Sequence, residues 1–161
     1  NVLRSNRRIQ DLLYKDELTG LYNMNGFYQK WEENNTPSKQ QSFVVLYNGF
    51  WKKKEENNPP KKQQSFVLLY SDICQFKFIN DNFGFATGDQ VLQASGKILQ
   101  EILEDDEFCG RISSDHFALL LKYNCWEHLD KRMQNFIKKL NCWRKAKPIF
   151  LIKLISYLVF V

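Results

Sequence analysis

Between residues 71 and 92 the sequence SDICQFKFINDNFGFATGDQVL sets a carboxylate, a lysine, an amide and another carboxylate in one short stretch. Asp72 closes an apolar run, residues 66–70, that reads as a buried β-strand. A carboxylate at such a strand end can hold a divalent cation against nucleotide phosphates, because Mg²⁺ prefers oxygen ligands and bridges them. Lys77 can meet a phosphate, while Asn80 and Asp89 offer an amide and a carboxylate suited to the donor and acceptor edge of guanine. Taken singly, these residues have plainer uses. A strand-terminal Asp is most often a helix cap, Asn80 a turn residue and Asp89 a helix N-cap. As a set in this order they favour a former or present guanine site.

The elements that must position them are legible from periodicity. Ile9, Leu12 and Leu13 among Arg and Gln residues give a lead-in helix within residues 1–15, and Thr19 and Gly20 signal a turn after it. Asn23 can cap a second helix, in which Met24, Phe27, Tyr28 and Trp31 recur at i, i+3, i+4 and i+7 as one buried face. That helix fades at Asn34 and Asn35. Val91, Leu92, Ser95, Ile98, Leu99, Ile102 and Leu103 predict an amphipathic helix opened by Gly88 and Asp89. Residues 108–112 and 117–121 are short apolar runs around Ser113, Ser114, Asp115 and His116, the pattern of a β-hairpin. Leu129, Met133, Phe136, Ile137 and Leu140 mark a further helix, and residues 149–161 read as a core strand. The order predicts an α/β (α+β) sandwich, with helices flanking a central, mostly antiparallel sheet.

A near repeat interrupts this plan. Residues 30–47, KWEENNTPSKQQSFVVLY, recur as residues 53–70, KKEENNPPKKQQSFVLLY. Two adjacent copies do not make a solenoid, which needs at least three units, so a local tandem duplication of loop plus strand at about residues 30–70 is the reading. Only the second copy flows into the Asp72 segment. It predicts the central strand, and residues 43–47 an extra edge strand or an insertion.

Bulk properties exclude little. One sizeable core fits 161 residues that are 43% apolar, and 23 Lys plus Arg against 18 Asp plus Glu permit a polyanionic partner without requiring one. Cys74, Cys109, Cys125 and Cys142 show no C-x-x-C pair, which argues against a metal cage and predicts buried, reduced thiols of a cytoplasmic protein. No signal-peptide core opens the chain. Lys153 and Ser156 break the last apolar run, which is shorter than the roughly 20 residues of a membrane span, so no membrane insertion is expected. The chain ends inside that run, which suggests a domain cut short at its C-terminus.

Three segments, in order, resemble the GGDEF family of diguanylate cyclases. DELTGLYNMNGF, residues 16–27, is similar to D-x-L-T-G-L-x-N-R-x-x-F, with Met24 where Arg is usual. Residues 71–92 resemble D-I-D-x-F-K-x-I-N-D-x-x-G-H-x-x-G-D-x-x-L, and RISSDHFALLL, residues 111–121, stands where the family has R-x-G-G-D-E-F or R-x-G-G-E-E-F. The resemblance implies a lead-in signalling helix at 1–15 and a GGDEF domain at 16–161. It implies guanine-nucleotide binding by Lys77, Asn80 and Asp89, and Mg²⁺ held by Asp72 and Asp115, with Asp115 also the catalytic acidic residue. It further implies GTP as ligand, an adjoining sensor or phosphodiesterase domain in a longer chain, and a homodimer.

The departures concentrate in the third segment. Ser113 and Ser114 replace two glycines that let backbone approach the nucleotide, His116 replaces a Glu, Cys74 an Asp, and Phe85 a His. His116 and Cys74 are read as an ordinary turn residue and an ordinary core residue. The family's inhibitory R-x-x-D falls where residues 104–107 read Glu-Asp-Asp-Glu, expected to be a solvated acidic turn that repels a dinucleotide. The reading is therefore a degenerate GGDEF domain, catalytically inactive, that binds GTP or relays a signal. Two alternatives stand beside it. One is a weak diguanylate cyclase using Asp72 and Asp115; the other is a basic nucleic-acid binder using Lys52 to Lys54, Lys61, Lys62 and the stretch 138–147 near Trp143.

Overall fold

The computed structural model describes residues 9–34, 65–73, 75–145 and 154–159. Its centre is a four-stranded sheet of β1 (Ser65–Ile73), β2 (Phe108–Ser113), β3 (His116–Tyr123) and β4 (Leu154–Val159), in the order β2-β3-β1-β4 with every pairing antiparallel. The two interior strands are apolar on both faces. Side chains alternate across a strand, so Val67, Leu69 and Ile73 of β1 and Phe117, Leu119 and Leu121 of β3 enter one core, while Phe66, Ala118 and Leu120 enter another.

Helices cover both faces. Phe27 of α1 (Met24–Asn34) packs into the second core, its ring 4.9 Å from Phe108. The first core is closed by α2 (Phe76–Phe83), α3 (Phe85–Glu101) and α4 (Trp126–Lys145) through Ile79, Val91, Leu92, Leu99, Leu129, Phe136 and Leu140. Fully burying one such side chain contributes about 1.5–3 kcal/mol, against roughly 0–1 for an exposed ion pair, so the stripes decide the fold. The sandwich and its antiparallel sheet are as expected from sequence. The second copy of the repeat forms interior strand β1, and the first copy, residues 43–47, lies outside the described residues.

Asn23 caps α1: its Oδ1 accepts the Gly26 N–H at 2.9 Å. Gly26 is required there, because a Cβ would lie 2.1 Å from the Tyr14 carbonyl oxygen, at the end of the lead-in helix over residues 9–14. The expected four-residue buried face of α1 is narrower than its spacing suggests. Met24 and Tyr28 are 64% and 62% exposed, since α1 meets the sheet mainly through Phe27, with Trp31 half-buried. Ile137 of α4 is likewise exposed.

Two further expectations are corrected. Helix α3 starts at Phe85, not at Gly88: Gly84, at φ 82°, ends α2, and its carbonyl accepts the N–H groups of Thr87 and Gly88. The first turn escapes an apolar pattern because Phe85 is 77% exposed. Residues 104–107 are not a uniformly solvated turn. Glu104, Asp105 and Asp106 are exposed, but the Glu107 side chain is 0% exposed and takes Arg132 of α4 and the Lys122 N–H, the latter at 2.7 Å. Arg132 also donates to the Ile102 carbonyl, tying the end of α3 to α4.

Of the cysteines, Cys109 is buried, and that burial pushes its thiol up to about 12. Cys125 and Cys142 are exposed, contrary to expectation, because Cys125 stands in the segment just before α4 and Cys142 lines an open groove between α3 and α4; Cys74 lies outside the described residues. No helix among the described residues is long and apolar enough to cross a membrane.

Candidate functional site

The antiparallel register of β1 and β3 assembles the site. Asp72 pairs directly with His116, and the Ile73 N–H donates to the Asp115 carbonyl at 3.3 Å, so the end of β1 meets the β2–β3 turn. Ligand atoms of Asp72, Asp115 and His116 all lie within 4.8 Å of one another. Burial pushes the Asp72 carboxyl up, and the neighbouring Asp115 raises it further against a lowering influence of His116. Asp72 Oδ1 is buried and has no hydrogen-bond partner among the described residues. Two facing carboxylates can be satisfied only by a shared proton or a cation.

That arrangement suits a divalent ion. Carboxylate oxygens this close would share one oxygen-preferring cation after side-chain adjustment, and its charge would offset their mutual repulsion. Asp72 and Asp115 would be its oxygen ligands.

The turn itself is held from outside. Arg111 Nε donates to the Ser114 carbonyl at 2.6 Å and its Nη1 to both Asp16 oxygens at 3.2 Å. Asp16 is fixed in turn by the Thr19 N–H at 2.9 Å and the Thr19 hydroxyl at 2.6 Å. Burial alone would raise the Asp16 carboxyl, but the Thr19 hydrogen bonds and Arg111 outweigh it and leave it lowered. The DELTG segment and the arginine before the turn thus act as one brace. Ser114 adopts φ 31°, in the left-handed region that a glycine would occupy without cost.

The nucleotide residues proposed from sequence stand just beyond. Lys77 and Asn80 lie on α2, and Asp89 lies early in α3. Asn80 packs on Gly88 so closely that a Cβ there would lie 1.9 Å from its Oδ1, and that buried oxygen also has no donor. Lys77 and Asp89 are exposed and have no hydrogen bond or ion pair among the described residues. His116 was passed over in sequence. Its ring stacks on Tyr70 at 5.6 Å and 28°, and its Nδ1 lies 3.2 Å from Ser113 Oγ and 3.7 Å from Asp115 Oδ1. The only sequence signal for it was adjacency to Asp115 on a turn facing a strand-end carboxylate.

A separate groove of about 470 Å³ between α3 and α4 is lined by Lys97, Lys138, Lys139 and Trp143, and none of the carboxylates above lines it. Lys139 is neutralised there by Glu101 at 2.8 Å.

The antiparallel sheet flanked by helices is the fold of solved GGDEF domains. The family model described as "Diguanylate cyclase, GGDEF domain" matches residues 48–150, and the chain belongs to that family. A diguanylate cyclase of Vibrio cholerae is 43% identical over 51 residues, 32% of this chain and 16% of the relative. The uncharacterized protein YhcK of Bacillus subtilis is 36% identical over 123 residues, 72% of this chain but 26% of its own length. The chain therefore spans only a minor part of these relatives. The coiled coil and GGDEF domain of DgcB from Caulobacter crescentus, solved with c-di-GMP, superposes with a TM-score of 0.68 at 15% identity, over 99% of this chain and 75% of that one. At that identity the likeness bears on fold.

Proposed function

We propose that this chain is a GGDEF domain that binds a single guanine nucleotide and regulates or relays a signal without making cyclic di-GMP. The observation that carries the reading is Asp72 Oδ1, buried without a donor among the described residues and clustered with Asp115 and His116; Asn80 Oδ1, likewise without a donor among them, lies against Gly88 and would have to turn to meet a base. Leaving such an atom unsatisfied costs about 1–3 kcal/mol, which a bound ligand would offset. In this reading Asn80 and Asp89 take the donor edge of guanine, Lys77 meets a phosphate, and Asp72 and Asp115 hold Mg²⁺. The ion, when bound, supplies positive charge against the phosphate oxygens. Adenine lacks the paired N1–H and N2–H donors, so it leaves Asp89 unpaired.

Turnover is what the turn no longer favours. Ser113 and Ser114 add side chains where the family brings bare backbone to the nucleotide, and His116 cannot offer the acceptor oxygens of a Glu. Asp115 is then a vestigial catalytic residue. A weak diguanylate cyclase is the second reading, favoured by the Asp72–Asp115 pair. Nucleic-acid binding has less behind it, since the described basic groove already pairs one lysine with Glu101. The expected setting is the cytoplasm, within a longer chain carrying a sensor or phosphodiesterase domain and acting as a homodimer. In a structural relative, DgcB of Caulobacter crescentus, a coiled coil accompanies the GGDEF domain.

Calorimetric titration of GTP and ATP, with and without Mg²⁺, tests the reading. GTP binds preferentially, Asp89→Ala erases the preference, and Asp72→Ala erases the Mg²⁺ dependence. Equal binding of ATP, or no GTP binding at millimolar concentration, would falsify it.

A further inference from the structure

We propose that His116 is a third protein ligand of the cation site, and that its imidazole shifts the site's preference from Mg²⁺ toward a first-row transition ion such as Mn²⁺ or Zn²⁺. The inference deepens the reading above and rests on its assignment of Asp72 and Asp115 as cation ligands. Its basis is placement. His116 is opposite Asp72 in the β1–β3 register and follows Asp115 in sequence, and the three ligand atoms fall within 4.8 Å of one another. The ring is not a loose turn side chain: its side chain is 35% exposed, it stacks on Tyr70, and its Nδ1, 3.7 Å from Asp115 Oδ1, would exchange a 3.2 Å contact with Ser113 Oγ for the ion. The orphaned Asp72 Oδ1 beside it marks the point where charge is missing.

The donor set then decides the ion. Two carboxylates alone form a hard oxygen site suited to Mg²⁺, which keeps most of its waters. Adding a neutral imidazole nitrogen, a good ligand for Zn²⁺ and its first-row neighbours and a poor one for Mg²⁺, discriminates against Mg²⁺ without adding negative charge. A glutamate at this position would add a third oxygen donor and leave the site hard. The same substitution that weakens catalysis thus gives the site a different metal selectivity.

The test uses Mn²⁺ alone, without nucleotide, so that no base nitrogen can contribute. Electron spin-echo spectroscopy of the Mn²⁺-loaded protein reads nitrogen coordination directly. The expected result is ¹⁴N modulation from a directly bound imidazole, lost in His116→Gln while Mn²⁺ stays bound, and retained in His128→Gln, which removes the other histidine. Less Mg²⁺ should then displace Mn²⁺ from His116→Gln than from the parent chain. Bound Mn²⁺ with no such modulation, or modulation that survives His116→Gln, overturns the role of His116 and leaves the nucleotide reading intact. Mn²⁺ binding that persists undiminished in Asp72→Asn, or no Mn²⁺ binding at millimolar concentration, overturns the cation site itself.

Discussion

At the scale of single residues, the proposed site joins one cationic donor, Lys77, to acceptors whose partners a ligand would supply. Asp72 and Asn80 have buried oxygens without partners among the described residues, and both stand in the segment that matches its family well. Glu107 is the contrasting case: a fully buried carboxylate whose partners, Arg132 and the Lys122 N–H, are all internal. Removing one member of a buried ion pair strands the other, so Glu107→Ala should destabilise the domain by about 3–5 kcal/mol, readable as a lowered urea midpoint. The dinucleotide should find no purchase at residues 104–107, because three exposed carboxylates repel phosphate and the fourth is occupied. Chemical-shift changes at Glu104 or Asp106 on adding cyclic di-GMP would contradict that.

At the scale of elements, the β2–β3 turn is where the sequence departs most from the family pattern. Ser114 is held at φ 31°, so Ser114→Gly should stabilise the domain by up to about 1 kcal/mol, the relieved strain exceeding the entropy that glycine adds to the unfolded chain. Thermal unfolding measures it. The brace behind the turn carries a pH signature. Asp16 has a lowered folded-state value, so its contribution is complete above the unfolded value of about 4 and is lost as pH falls through the lower folded one. Asp16→Asn should therefore flatten the acid limb of the stability profile; a variant with the parent's acid limb would show that Arg111 and Thr19 do not favour its charge. Strands, hairpin and α4 were legible because apolar runs and stripes carry the burial energy. Less legible were the features that depend on neighbours. The first turn of α3 follows from Gly84 rather than from apolar spacing, Met24 and Tyr28 face solvent because only Phe27 reaches the sheet, and Glu107 is buried by an arginine distant in sequence. His116 joined the site only once the register set it opposite Asp72.

At the scale of the whole molecule, the well-matched half of the site lies at the end of β1 and on α2 and α3, elements that pack on the first core, and the altered half is the β2–β3 turn, where Ser113 and Ser114 are exposed. Packing of β1, α2 and α3 fixes the backbone that carries Asp72, Lys77, Asn80 and Asp89, whereas the substitutions at Ser113, Ser114 and His116 fall at the turn. Binding can outlive turnover on this architecture. Losing one preorganised contact to developing charge typically costs about 10²–10³ in rate, and several are altered here. Reverting the turn with Ser113→Gly, Ser114→Gly and His116→Glu together should raise synthesis from GTP above that of the parent chain, assayed by chromatography of the nucleotide products. The most direct measurement of the central claim is made on the parent protein itself. It is incubated with Mg²⁺ and GTP at a concentration where calorimetry shows the site saturated, and the nucleotides are then separated and quantified. The account predicts bound GTP recovered unchanged with no cyclic di-GMP; sustained accumulation of cyclic di-GMP over many turnovers would contradict it.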